Sequence, residues 1–470
     1  MQYGGEIISE ELKYSPSVQN HSTAAFRKIS PQGVSTGIVL SPSSSIGPTE
    51  FIIPPSVFNL AKSRLNFQLQ IDAQAATFFP YVDANLLTTI SRVVLYDSNT
   101  NAVWCDVSNF EKYASMVVPA ATKYDDFKTK ATAWQSATFC QTLATTSAVS
   151  TPFACEDIQK SNSLLNPTHL GTAAAGVTAF NSYEGRRYLL VGGGADAVTA
   201  NAAAYVDVSL PLSAFKFTAL AVNKNLANMS NLVLQIYWNS LDNFAFKGTS
   251  VTNPTTGAVS LTANCQLNNV ALELCNEQNL SIISKITQQV ASSGISIPIG
   301  YPTTTRQVIT SANPSYTLNI SKGYGQRILA FITAPFSVGS VLKNATNSHI
   351  RGTLTNYQTT MNNIAIKYQN GFNCVNGEDW YYGNREYLEK STIQSNQEYA
   401  VAEWVHIDSY FGERPLHEVE QTEIDGYDVG STASAWQFQG TLSASAQTFW
   451  ITAIIGQKLL TLSANGSMVQ

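Results

Sequence analysis

Charged side chains are scarce in this sequence. Asp, Glu, Lys and Arg make up 13% of its 470 residues, against about a quarter in ordinary globular proteins. The signs nearly cancel, with 27 Lys and Arg facing 32 Asp and Glu for a formal net charge of −5. No basic arm or stripe is present: residues 1–40 carry Lys13, Arg27 and Lys28 against Glu6, Glu10 and Glu11. Affinity for nucleic acid comes largely from neutralised phosphates, so direct genome binding through a basic arm is not expected. Cys105, Cys140, Cys155, Cys265, Cys275 and Cys374 are scattered without a CxxC pair. They are expected to be buried thiols in a reducing compartment rather than a zinc or redox motif. No apolar run approaches the roughly 20 residues that span a bilayer. The opening Met1-Gln2-Tyr3-Gly4-Gly5-Glu6 has neither a basic start nor an apolar segment, so a soluble chain without a secretory leader is expected. Six Asn-x-Ser/Thr sites, at Asn20, Asn228, Asn279, Asn319, Asn344 and Asn465, are what a chain rich in Asn, Ser and Thr produces by chance.

Catalytic signatures are equally thin. The histidines are His21, His169, His349, His406 and His417, with no HExxH or other close ligand pair. The densest ionisable patch runs from Glu403 through Trp404, His406 and Asp408 to Glu413, His417, Glu418 and Glu420. On a strand His406 and Asp408 share a face, which suits a surface hydrogen-bonded pair better than a dyad or ion site. Glu403 and Asp408 face opposite sides, so they do not make a glycosidase pair. Val191-Gly192-Gly193-Gly194-Ala195-Asp196 lacks the following helix and Lys-Ser/Thr that a phosphate loop needs, and reads as a turn. No GxSxG or Walker pattern appears. Catalytic, cofactor-binding and metal-ligating residues are therefore all assigned as none, and no enzyme is expected. Trp380-Tyr381-Tyr382 and Trp404 could stack on sugar rings, but such aromatics also fill sandwich cores.

What is abundant is period-two hydrophobicity. Leu65, Phe67, Leu69 and Ile71 alternate with Asn66, Gln68 and Gln70, placing the apolar set on one face of a strand. The alternation recurs at Val206/Val208/Leu210, Leu232/Leu234/Ile236/Trp238, Val270/Leu272/Leu274, Ile295/Ile297/Ile299, Ile364/Ile366/Tyr368 and Phe449/Ile451/Ala453/Ile455. Ile328–Ile332 is a continuous apolar run, suited to a strand covered on both faces. Many one-faced strands with few helices between them imply antiparallel sheets packed face to face.

Helical signals are few. Ser108-Asn109-Phe110-Glu111 reads as a capping box, followed by a Phe110, Tyr113, Ala114, Val117 stripe. A second helix is expected over Tyr124–Thr138. Ile282, Ile286 and Val290 give a third, stopped by Gly294. The chain exceeds the roughly 250–300 residues of a single core. It divides into an N-terminal arm (1–40), a first strand-rich block (41–240), a connector (241–262) centred on Asn253-Pro254-Thr255-Thr256-Gly257, and a second block (263–470). Long loops are expected at 139–185 and 335–360.

Three segments carry a family resemblance. Thr49-Glu50-Phe51-Ile52-Ile53-Pro54-Pro55-Ser56-Val57-Phe58 leads into Asn59-Leu60-Ala61-Lys62-Ser63-Arg64-Leu65-Asn66-Phe67. Ile90–Asp97 is followed by Asn109-Phe110-Glu111-Lys112-Tyr113, and Val206–Phe215 comes late in the first block. Together they resemble double jelly-roll viral major capsid proteins, the lineage of adenovirus hexons, tectiviral coats, polinton-like viruses and virophages. The resemblance covers the first block well and the second mainly by length and strand pattern. It implies an all-β fold of two tandem eight-stranded antiparallel jelly rolls with a few short helices. It implies a structural protein of a DNA virus: homotrimeric, pseudo-hexagonal capsomers tiling an icosahedral capsid. The partners it implies are further copies of the chain, minor capsid and vertex proteins and an inner membrane. The location it implies is the virion, after synthesis in the host cell interior. Two other readings stay open on the residues alone: a carbohydrate-binding β-sandwich adhesin, and a viral vertex or spike protein with a single roll.

Overall fold

The computed structural model describes residues 22–33, 37–72, 79–83, 86–121, 188–190, 204–248, 259–260, 265–309, 311–313, 315–320, 324–333, 354–365, 369–373, 406–409, 434–442 and 448–470. The first part of the chain forms β1 (Ala24–Ile29), β2 (Ile38–Leu40), β3 (Ile46–Ile53), β4 (Ser56–Ile71), β5 (Phe79–Asp83), β6 (Ile90–Asp97) and β7 (Val103–Ser108). Helix α1 (Phe110–Ala120) follows, then β8 (Tyr188–Leu190), β9 (Ala204–Pro211), β10 (Leu226–Asn228), β11 (Leu232–Trp238), α2 (Leu241–Phe244), β12 (Ala245–Gly248), β13 (Val259–Ser260) and β14 (Cys265–Glu277). Helix α3 (Leu280–Ser292) links these to β15 (Ile295–Ile309), β16 (Ser315–Ile320), β17 (Tyr324–Thr333), β18 (Leu354–Met361), β19 (Ile364–Ala365) and β20 (Phe372–Asn373). The chain ends with β21 (His406–Ser409), β22 (Ser434–Leu442), β23 (Thr448–Ser463) and β24 (Gly466–Val469).

Among the described residues no strand of β1–β14 pairs with any of β15–β24. Each set is a jelly roll. Labelled B to I in chain order, the first roll has β1 and β2 sharing position B, then β3 (C), β4 (D), β6 (E), β7 (F), β9 and β10 sharing G, β11 (H) and β14 (I). One sheet runs B-I-D-G and the other C-H-E-F, the double Greek key of the jelly roll. The second roll repeats the order with β15 (B), β16 (C), β17 (D), β18 (E), β19 and β20 (F), β21 (G), β22 (H) and β23 (I), while β24 folds back beside β23. A further four-stranded sheet, β13-β12-β5-β8, is assembled from the D–E, F–G and H–I connections of the first roll.

The alternation that predicts the strands also builds the core. Leu65, Phe67, Leu69 and Ile71 are buried, as are Leu232, Leu234, Ile236 and Trp238 from the facing sheet. Phe67 meets the Trp238 ring edge-on at 5.2 Å, and the indole N–H donates to Thr49 Oγ1 at 2.8 Å, so the buried polar atom is satisfied. In the second roll Tyr357 packs between Phe372 and Phe438, with centroids at 5.2 and 5.6 Å. Each such side chain contributes about 1.5–3 kcal/mol through burial. The stripe Phe110, Tyr113, Ala114, Val117 is wholly buried, with Phe110 stacked on Phe215 at 5.0 Å. Helix α3 forms over the predicted Ile282–Val290 stretch. Asn279 Oδ1 caps its start by accepting from Ser281 N–H, and Gly294 at φ 73° ends it.

Several expectations are corrected. Residues 1–40 are not all arm: β1 and β2 pair with β14 inside the first roll. The break in strand pairing does not fall at 241–262. That segment supplies α2, β12 and β13, and β14 belongs to the first roll through β4. The expected capping box does not form: Ser108 pairs with Arg92 as the last residue of β7, and Asn109, at φ 49°, starts α1 without a side-chain cap. Ile364 is 73% exposed rather than buried. It follows Asn362 and Asn363, both at positive φ, in a tight hairpin between β18 and β19 of the kind that favours Asn. Residues 354–360 are strand, not loop. The expected helix 124–138, the loop 139–185 and the turn 253–257 lie outside the described residues.

Candidate functional site

Among the described residues an extensive polar cluster lies where the two rolls meet. Asp97 closes β6 and opens the turn to β7; its side chain is fully buried. Its Oδ1 accepts from the Asn99 N–H at 2.9 Å and the Ser230 hydroxyl. Its Oδ2 accepts the Ser467 N–H and the Ser467 hydroxyl, each at 2.8 Å, and Asn228 Nδ2 at 3.3 Å. Ser467 sits on β24, so this carboxylate joins the end of the second roll to the E–F turn of the first. Trp104 Nε1 donates to Ser467 Oγ at 2.7 Å. Thr100 Oγ1 donates to the Ser467 carbonyl at 2.7 Å, and Asn99 Nδ2 to the Asn465 carbonyl at 3.0 Å. Burial pushes the Asp97 carboxyl up, but the donors from Ser230, Asn99 and Ser467 outweigh it and hold the group below the usual carboxylate range.

Two glycines let the backbones approach. Gly466 has φ +110°, and a Cβ there would lie 2.8 Å from Thr100 Cγ2 and 3.1 Å from Asp97 Oδ2. Gly300, on β15, would place a Cβ 2.2 Å from the Phe217 carbonyl oxygen of the first roll. Phe217 itself is at φ 54°, and beside it the Lys216 carbonyl accepts from Tyr113 OH at 2.6 Å.

A second buried carboxylate holds the linker. Glu277, at the end of β14, accepts from Ser22 Oγ, from the Thr23 N–H at 2.8 Å, from Asn225 Nδ2 at 2.8 Å, and from the Gln278 and Asn279 N–H groups at 3.0 and 2.9 Å. Burial pushes its pKa up; these donors overcome it and set the value at about 2. Both carboxylates are ionised at neutral pH with their lone pairs occupied by neutral donors. They are suited to fixing geometry, not to moving protons.

Of the residues weighed from the sequence for catalysis or binding, only His406 and Asp408 are among those described. His406 and Asp408 lie on β21, their backbones opposite Ala330 and Ile328 of β17. Glu403, Trp404, Glu413, His417, Glu418, Glu420, Gly192–Asp196, Trp380–Tyr382 and the other histidines lie outside the described residues. Among the described residues no group of three His, Cys, Asp or Glu is arranged to hold a metal, and no helix is long and apolar enough to cross a membrane. Cys105, Cys265 and Cys275 are free, buried thiols. The side chain of Asn228 is buried in the Asp97 cluster, so that Asn-x-Ser site presents no acceptor to solvent. Sequence reasoning missed Asp97, Ser467 and Glu277. An Asp in Asp97-Ser98-Asn99-Thr100 reads as an ordinary turn residue.

No protein-family model matches the chain, and no curated protein matches it in sequence. Solved structures do. The Faustovirus major capsid protein superposes at a TM-score of 0.59 with 11% identity, over 94% of this chain and 91% of its own. The PBCV-1 virus capsid matches at 0.51 with 8% identity, over 96% of this chain and 97% of that chain. The Sputnik virophage matches at 0.50 with 12% identity, over 96% and 88%. The likeness extends over both rolls, and with the B-I-D-G and C-H-E-F sheet orders it establishes the fold: the chain is a double jelly roll of the kind seen in these viral capsids.

Proposed function

We propose that the protein is a viral major capsid protein, a structural component of the virion rather than an enzyme. The observation that carries this reading is the pair of complete jelly rolls in one chain, bound to each other by the Asp97–Ser467 cluster. Three such chains around an axis present six similar rolls, a pseudo-hexagonal block that tiles a closed shell. A shell unit needs its two rolls in one fixed relation, and buried hydrogen bonds with close glycine contacts supply that. The low charge leaves weakly repelling surfaces, as interface cores require. Minor capsid and vertex proteins and an inner membrane are the further partners of this reading.

The other two readings gain no support from the described residues. The aromatics a glycan cleft would use, Trp380–Tyr382 and Trp404, lie outside the described residues, and the fully buried Trp104, Trp238 and Trp436 fill cores instead. A spike with one roll is at odds with the second complete roll. Light scattering on the purified chain, with electron microscopy of concentrated samples, tests the proposal. A trimer that forms hexagonal sheets or shells is the expected result. A monomer that binds glycans and never assembles refutes it.

A further inference from the structure

The two rolls share one end. The C–D, E–F and G–H connections of the first roll turn there, after Ile53, Asp97 and Asn228. So do the β18–β19 hairpin and the β23–β24 turn of the second roll. Asn99 Nδ2, donating to the Asn465 carbonyl, joins one set of turns to the other. Helix α3 crosses the same end between β14 and β15, packed on β4, β10 and β23. The opposite end carries the sheet β13-β12-β5-β8.

Exposed apolar side chains collect at the end that α3 crosses. Leu280, 79% exposed, opens the helix, and Ile364, 73% exposed, stands at the β18–β19 hairpin. Phe26, Met468 and Ile52 are exposed within two residues of a strand end, about 7 Å. These are five of the eight large apolar side chains exposed among the described residues. Scattered singly they would need no explanation; gathered at one end they mark a surface that something covers.

The charges are sorted in the same way. Among the described residues, the exposed charged groups within about 13 Å of this end, four residues along a strand, are basic: Arg27, Lys224 and Lys285. Lys28 is opposed by Glu273 across the β1–β14 ladder, and Arg92 by Asp106. The acids of this end are occupied. Asp97 and Glu277 are buried among their donors, and Glu50 accepts from Gln235 Nε2 at 2.6 Å. The exposed Asp207 lies toward the other end, opposite Gln68.

We infer that this end binds directly to a bilayer of anionic lipid. Leu280, Ile364 and Phe26 enter the boundary between headgroups and acyl chains, while Arg27, Lys224 and Lys285 stay among the headgroup phosphates. Nucleic acid would use the cations and leave the apolar side chains in water. A neutral bilayer would leave the cations unmatched. Repetition of the end over the copies of an assembly multiplies contacts that are weak singly. The inference rests on the coat-building reading only in taking this bilayer to be the one beneath a shell.

Flotation of the full chain with phosphatidylcholine vesicles, with and without phosphatidylserine, tests it. Binding is expected only with phosphatidylserine present, and is expected to weaken as salt is added. Leu280→Ser should weaken it roughly tenfold, and Lys224→Gln together with Lys285→Gln should do the same. Tyr205→Ser, an exposed residue of the opposite end, should bind as the wild type does. Circular dichroism checks folding, and Ile364→Ser replaces Leu280→Ser if that variant fails to fold. A wild type that does not float with the anionic vesicles overturns the inference. So does binding that Leu280→Ser leaves intact, because a surface held by charge alone would take any polyanion, duplex DNA included. An equal loss in Tyr205→Ser overturns the placement at this end. Electron microscopy of the lipid-free chain reports assembly separately: shells without vesicle binding sink this inference and leave the coat-building reading standing, whereas vesicle binding without shells does the reverse.

Discussion

Ser467 gives both its backbone N–H and its hydroxyl to a single oxygen of Asp97, a residue 370 positions earlier in the chain. The hydroxyl also accepts from Trp104 Nε1, so three elements converge on one side chain. Replacing it tests the junction directly. Ser467→Ala removes one hydrogen bond to a buried carboxylate and leaves the Trp104 N–H without an acceptor, at a cost of about 1–3 kcal/mol. A lower urea midpoint with an unchanged m-value is the expected result. An unchanged midpoint means that the junction contributes nothing to stability.

The glycines make a steric counterpart. Gly466→Ala puts a methyl against Thr100 and Asp97 at a backbone angle that L residues avoid, and should cost about 1–3 kcal/mol. Gly300→Ala meets backbone rather than a movable side chain. It is expected to force β15 away from Phe217 and to impair particle formation more than Gly466→Ala does. Electron microscopy of both variants, scored beside their melting temperatures, separates misplacement of the rolls from simple loss of stability.

Acid should weaken the fold through the two carboxylates. Their folded-state pKa values are depressed, so their stabilisation is complete above the unfolded-state values and is lost as pH falls through the folded ones. For Glu277 that window runs from its ordinary 4.5 down to about 2. Asp97 acts in the same direction, below its ordinary 3.8. Melting temperature should decline from pH 4.5 toward pH 2, and Glu277→Gln should flatten the decline. A Glu277→Gln profile as steep as that of the wild type would remove Glu277 from the explanation.

The thiols offer a fourth check. Burial pushes Cys105 and Cys265 far above the usual thiol range, and neither is reachable by solvent. Iodoacetamide should leave their peptides unlabelled in the native protein and label them in urea. Labelling of either in the native state would contradict the burial described.

Much of the fold is legible in the sequence because burial on one face writes itself as alternation. The runs at Leu65–Ile71 and Leu232–Trp238 could scarcely be anything but strands. β1 was hidden for the opposite reason. Ala24-Ala25-Phe26-Arg27-Lys28-Ile29 is an edge strand exposed over most of its length, so no face is consistently apolar. The alternation at Val270, Leu272 and Leu274 marks β14 as a strand but does not tell that it joins the first roll, because alternation tells which side is buried and not which partner lies alongside. Its neighbour β4 is some two hundred positions away in the sequence. The Asp97–Ser467 pair was invisible on the same ground, since neither residue type is unusual in its own turn.

The sheet β13-β12-β5-β8 draws its strands from three separate connections of the first roll. Segments that would otherwise evolve independently are thereby stitched through shared backbone pairing. Insertions between those strands can vary freely, while a change of length inside any one of them shifts the register of the others. Diversity on this part of the protein is thus channelled into the tips of the loops, and their bases drift together or not at all.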